Sequence, residues 1–161
     1  MIEVVKVGMA DLKGAKAPAT VITCGLGSCV GIALYDSVAK VGGIAHIMLP
    51  DSNQSRNKEN PAKFADTAIP MLIQKLVALG ALKRRLVAKI AGGAQMFSIQ
   101  GASDIMRIGD RNVEATMVAL KLEGIPILYQ DTGGNYGRTI ELDTCDGKMC
   151  IKTIDKGQTI I

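Results

Sequence analysis

Two apolar runs dominate the chain. Residues 29–35 (CVGIALY) and 41–49 (VGGIAHIML) are each almost free of polar side chains, and each has the length of a strand. Only the polar link 36–40 separates them. A short polar link between two such runs predicts an antiparallel hairpin covered on both faces, as in the interior of a sandwich. Shorter strand signals precede them at residues 2–7 (IEVVKV) and 17–23 (APATVIT), with Pro18 near a strand start. The stretch Asp11-Leu12-Lys13-Gly14 reads as a turn, and so does Gly25-Leu26-Gly27-Ser28. The most polar stretch, residues 50–60, predicts a mobile surface loop beginning four residues after His46.

The pattern then changes period. Asn60-Pro61 is a helix-start signal, and Ala65, Ala68, Ile69, Leu72, Leu76 and Leu79 follow at helical spacing up to Gly80. Pro70 lies inside this stripe and predicts a kink or local break. Residues 86–91 (LVAKIA) read as a strand. A second helix is expected over 110–123, capped by Asp110, with Val113, Met117 and Leu120 as its apolar stripe. Residues 125–130 form the next strand, 131–135 a glycine-rich loop, and 138–143 with 148–154 a closing hairpin around Asp146-Gly147. No repeat or linker interrupts the chain. The order predicts one α/β domain, a mixed β-sheet layered sandwich with two main helices.

Composition narrows the function. The chain has 161 residues with 48% apolar and 21% charged side chains, ordinary values for a soluble globular protein. Two phenylalanines, three tyrosines and no tryptophan leave few platforms for stacking bases. The net charge of +4 is scattered, with only Lys83-Arg84-Arg85 clustered, so no nucleic-acid partner is expected. No apolar run approaches the ~18 residues of a membrane span, and the N-terminus has an early Glu3 and no long apolar region. These features predict a cytoplasmic protein without membrane insertion, whose four cysteines stay reduced.

The candidate chemistry lies in the dominant hairpin. Cys29 follows a flexible turn at the mouth of a predicted strand, and His46, the one histidine of the chain, lies on the neighbouring strand. A thiol and an imidazole are the minimal parts of a nucleophilic hydrolase. Each also has a plain structural reading, as a small core residue and as a buried hydrogen-bonded ring. Thr23 is a candidate to orient the ring, although a β-branched residue in a strand needs no such role. Backbone amides around Gly27 and Ser28 are suited to holding an oxyanion. A phosphate loop fits less well, because Val30 stands where the third glycine would be and a strand follows. Ser28 is the poorer nucleophile, having no placed carboxylate. Cys24/Cys29 and Cys145/Cys150 are two pairs of equal spacing, but the usual zinc pairs are tighter; no metal or cofactor is expected.

The segments GLGSCVGIALYD, KVGGIAHIMLPDS, KFADTAIPMLI, AKIAGGAQMF, IGDRNVEA and DTGGNYGR, in this order, resemble the chemoreceptor glutamine deamidases of bacterial chemotaxis, the CheD family. The resemblance implies hydrolysis of glutamine side-chain amides on methyl-accepting receptors, with Cys29 as nucleophile, His46 as base and Thr23 as third catalytic residue. It implies a fold similar to the catalytic domain of deamidating bacterial toxins, and a CheC-type phosphatase as a second partner. Cys24 is not part of the resembling motif. Two other functional classes remain to be weighed: a non-catalytic module that regulates a phosphatase, and a small-molecule amidase.

Overall fold

A computed structural model describes residues 2–56, 60–96 and 107–161. The chain builds two five-stranded sheets. The first has the order β1-β3-β8-β9-β10, from β1 (Glu3–Lys6), β3 (Ala19–Leu26), β8 (Arg138–Asp143), β9 (Met149–Thr153) and β10 (Gly157–Ile160). The second has the order β2-β5-β4-β6-β7, from β2 (Asp11–Lys16), β5 (Val41–Ile47), β4 (Val30–Asp36), β6 (Val87–Gly92) and β7 (Ile127–Thr132). Two helices, α1 (Ala65–Ala78) and α2 (Ile108–Leu122), lie against the second sheet.

The second sheet is thus the middle layer, and this explains the two apolar runs. Every residue of β4 and β5 is buried. Val30, Ile32, Leu34, Ala45 and Ile47 join the helix-side core with Ile69, Leu72 and Leu76 of α1. Cys29, Ala33 and Ile44 join Val21, Ile140 and Leu142 in a second core between the sheets. A strand covered on both faces has no polar alternation to show. The hairpin register pairs Gly31 with His46 and Val30 with Ile47.

The structure departs from the sequence reading at several points. Residues 11–14 form no turn: they open β2, which pairs with β5 from Asp11–His46 to Lys16–Val41. Leu12 enters the helix-side core and Ala15 the inter-sheet core, so this short polar-looking strand is held from both faces. The turn falls just before it, at Met9 and Ala10. Asn60 caps a short 3-10 turn (Pro61–Lys63), accepting from the Ala62 amide, and α1 itself starts at Ala65. Pro70 sits within the uninterrupted helix. The loop after His46 contains a 3-10 turn (Ser52–Gln54) tied to α1, with the Ser52 amide and hydroxyl both donating to Asp66. The expected mobility of residues 50–60 falls partly on 57–59, outside the described residues. Asp110 does not cap α2, and Met117 is exposed; the buried positions are Gly109, Asn112, Thr116, Ala119 and Leu120. The strand β10 was not anticipated, since all four of its residues are exposed.

Candidate active site

Thr23 and His46 come from different sheets and meet in the core between them. On β3, the pairing with β8 advances from Thr23 to Leu26 while β8 advances only from Ile140 to Arg138. One extra residue makes a β-bulge. Gly25 takes the positive φ of +75° that the bulge needs. The consequence is directional. Thr23 and Leu26 both point into the core, while Cys24 and Gly25 are both exposed. The bulge therefore turns Cys24 away from the interior that holds the imidazole, and the fully buried Leu26 anchors the start of the Gly27–Cys29 bend.

His46 is completely buried. Its Nδ1 lies 2.7 Å from Thr23 Oγ1, and that hydroxyl also lies 2.8 Å from the carbonyl oxygen of Val7. A hydroxyl has one proton. The Val7 oxygen can only accept, so the Thr23 proton goes there, and Thr23 accepts from Nδ1–H. The proton on Nδ1 leaves Nε2 with its lone pair free. Nε2 is buried and has no hydrogen-bond partner among the described residues. Burial pushes the imidazole down to about 4, so the ring is neutral near pH 7.

Cys29 stands one residue before β4. Extending the register places it on the same face as Gly31, hence diagonal to His46 on the facing strand. Residue 31, on the same face, has no side chain, and the room a Cβ would take there is filled by Ile140 and Leu26. Burial raises the Cys29 thiol, while its own backbone N–H acts in the opposite sense. Thiol and imidazole are consequently both neutral near pH 7, and among the described residues no hydrogen bond joins them. Such a pair reacts by transferring the thiol proton to the base as the sulfur attacks, not from a standing thiolate.

The bend carrying Cys29 is fixed at its carbonyls. The Ala94 amide donates to Gly27 O at 2.8 Å and the Gly93 amide to Cys29 O at 2.9 Å. Gly92 has to be glycine here, because a Cβ would collide with the Cys29 carbonyl oxygen. The Gly27 amide donates to Gly25 O at 3.1 Å and so shapes the turn. Among the described residues neither the Ser28 nor the Cys29 N–H donates to a carbonyl of the surrounding turns, and the Cys29 N–H faces its own thiol.

Sequence reasoning missed two side chains at this site. Arg138 is buried; its Nη2 pairs with Asp131 at 3.1 Å, its Nη1 reaches Gly92 O at 3.4 Å, and its guanidinium stacks 4.3 Å from the Tyr136 ring centre. The other is Asn112 of α2, whose Nδ2 donates to the carbonyls of Ser28 and Met48. Their signal was a charged or amide residue inside a segment otherwise reading as strand or helix. The remaining cysteines stand elsewhere: Cys145 is exposed in the turn after β8, and Cys150 on β9 faces Glu141 across the ladder, so the two do not oppose each other. Among the described residues no group of three or more His, Cys, Asp or Glu side chains is gathered as metal ligands. A groove of about 540 Å³ between α1 and α2, walled by Asp66, Glu114, Val118 and Leu122, is lined by neither Cys29 nor His46. No helix among the described residues is long and apolar enough to cross a membrane.

The family model for CheD chemotactic sensory transduction matches residues 48–153. A protein of Caldanaerobacter subterraneus subsp. tengcongensis, named a probable chemoreceptor glutamine deamidase CheD, is 56% identical over 155 residues, 96% of each chain. Proteins with the same name from Syntrophomonas wolfei and Desulfitobacterium hafniense are 54% and 52% identical over 161 residues, the whole of each chain. Among solved structures, a Neisseria meningitidis protein of the DUF152 family is similar with a TM-score of 0.52 at 9% identity, covering 84% of this chain and 65% of that one, a likeness of fold alone.

Proposed function

The chain belongs to the CheD family, and on that premise we propose that it is a chemoreceptor glutamine deamidase in which Cys29 is the nucleophile, His46 the general base and acid, and Thr23 the residue that holds the ring. The observation that carries the residue assignment is the hydrogen-bond chain from His46 Nδ1 through Thr23 to the Val7 carbonyl, which leaves Nε2 bare on the face that Cys29 shares.

The reaction follows from these atoms. Nε2 takes the thiol proton as Cys29 Sγ attacks the glutamine carboxamide carbon. The negative charge on the amide oxygen is held at the bend of Gly27, Ser28 and Cys29, by the N–H groups of Ser28 and Cys29. The tetrahedral intermediate collapses, Nε2–H protonates the departing nitrogen, and ammonia leaves a thioester on Cys29. His46 then takes a proton from water, hydroxide adds to the thioester carbon, and glutamate leaves as the sulfur recovers its proton. Throughout, Nδ1–H stays on Thr23, so each proton enters and leaves through the same nitrogen.

Incubation with a purified receptor fragment, followed by mass mapping of each glutamine, tests this reading. Conversion of glutamine to glutamate by the wild type and none by Cys29→Ala is the expected result; conversion by Cys29→Ala overturns it. Free glutamine as substrate separates a protein deamidase from a small-molecule amidase. The family resemblance also supports a CheC-type phosphatase as a partner, tested by whether added phosphatase competes with receptor fragment for the deamidase. The same reading takes the 161 residues as one deamidase domain working in the cytoplasm.

A further inference from the structure

Asn112 is fully buried on α2, where an asparagine is a poorer helix former than alanine. Its Nδ2 donates to Ser28 O at 2.9 Å and to Met48 O at 3.0 Å. Two carbonyl acceptors fix which end of the amide is the nitrogen. The other end, Oδ1, is then left buried without a partner among the described residues. A buried orphan oxygen is a penalty that an apolar residue of similar size would avoid. What the asparagine offers in return is a donor for the Ser28 and Met48 carbonyls, which an apolar residue would leave without it.

The two bonded carbonyls flank the proposed site. Met48 lies two residues past His46, and Ser28 immediately precedes Cys29. One side chain thus ties the bend of the nucleophile to the end of the strand that carries the base. The bond to Ser28 has a sharper consequence. In a planar trans peptide the C=O and the following N–H point in opposite directions. Drawing the Ser28 oxygen inward to Asn112 turns the Cys29 N–H outward. The neighbouring carbonyls of Gly27 and Cys29 are held inward by backbone amides of Ala94 and Gly93. The Ser28 carbonyl is held by Asn112.

We propose that Asn112 is a positioning residue: by fixing the Ser28–Cys29 peptide it aims the Cys29 amide as an oxyanion donor and sets the nucleophile's bend against the strand of His46. The inference rests on Cys29 being the nucleophile. It assigns Asn112 no contact with substrate.

The test compares wild type with Asn112→Leu, which keeps the size and removes the donor, and Asn112→Ser, which keeps one donor. Deamidation of a receptor fragment is measured per folded molecule, with the folded fraction taken from circular dichroism. A lost oxyanion donor lowers kcat ~10²-fold, so Asn112→Leu is expected to fall by about that factor with KM changed by no more than about threefold. Asn112→Ser should lie between Leu and wild type. Alkylation of Cys29 by iodoacetamide at alkaline pH, read by peptide mass mapping so that Cys24 and Cys145 are separated, needs a thiolate and no oxyanion. It should stay within about threefold of wild type in both variants. Asn112→Leu with kcat near wild type per folded molecule overturns the proposal. So does a pair of variants with no folded molecule at all, which would make Asn112 a residue of the fold alone. Cys29→Ala in the same assay separates the two readings. If it is active, the nucleophile assignment has failed; if it is dead while Asn112→Leu is active, only the role of Asn112 has.

Discussion

Lowering the pH from 7 to 5 should destabilise the protein through His46 specifically. The imidazole has an ordinary value of 6.5 in the unfolded chain and is pushed down to about 4 in the fold by burial. As the pH falls through 6.5 the unfolded chain takes up a proton that the folded chain refuses, so the unfolded state gains and stability drops. The loss accumulates until the folded ring also protonates near 4, and below that it is constant. At 1.36 kcal/mol per pH unit, the whole effect is ~3 kcal/mol, of which ~2 kcal/mol is reached by pH 5. For a urea dependence of ~2 kcal/mol per molar, that is a fall of about 1 M in the unfolding midpoint. The assay is urea unfolding at pH 7 and pH 5 for wild type and His46→Gln. Removing the ring changes stability at both pH values, but it removes the slope. Asp36 does not interfere. Burial alone would raise its carboxyl, but the Arg85 guanidinium and the amides of Leu82, Ala39 and Val38 hold it down at about 2, below the window. Wild type should lose ~2 kcal/mol more than His46→Gln between the two pH values. Parallel losses in the two proteins would refute the argument: the ring would then titrate near its ordinary value, and the neutral-base mechanism would lose its foundation.

Three further outcomes follow from the same geometry. Cys24→Ala should keep most of the deamidase activity, because the bulge turns that side chain outward, and ammonia release from receptor fragments checks this. Thr23→Ser keeps the oxygen that accepts from Nδ1–H and should retain part of the turnover, whereas Thr23→Val keeps the shape, loses the acceptor and should be the slower of the two; a valine variant matching wild type would remove Thr23 from the site. Asp36→Asn should lower stability by ~3 kcal/mol or more in thermal unfolding, because Arg85 loses the buried carboxylate it meets at 2.9 Å; a change below ~1 kcal/mol would show the pair to be inert.

The hairpin was legible because burial on both faces writes itself as an unbroken apolar run, and a short link fixes antiparallel pairing. From that alone Cys29 and His46 come to adjacent strands. What the pattern could not carry was the division into two sheets, because consecutive strands do not stay together: β2 leaves β1 and β3 to pair with β5, and β8 crosses to β3. The contact of Thr23 with His46 depends on that division, since it joins one sheet to the other. The bulge at Cys24-Gly25 was hidden for a related reason. Gly25 reads as a turn residue, and its left-handed backbone is real, but the chain uses it to shift the register within β3 and only bends two residues later.

Asn112 was hidden because the buried face of α2 is not its most apolar one. The stripe expected on α2 followed the apolar residues Val113, Met117 and Leu120, whereas the face that is buried follows Gly109, Asn112, Thr116, Ala119 and Leu120. Hydrophobic periodicity finds a core face by assuming that its members are apolar. Here two members are polar and each has a stated use: Thr116 returns its hydroxyl to the Asn112 carbonyl at 2.8 Å, and Asn112 reaches out of the helix to Ser28 and Met48. The spacing of 109, 112, 116 and 119 is as regular as that of the apolar stripe on α1. A helix whose small and polar residues keep core spacing, while Met117, Val118 and Leu122 fall on its exposed side, is one whose buried face has been given largely to hydrogen bonding. On this chain that face lies directly behind the bend of Cys29.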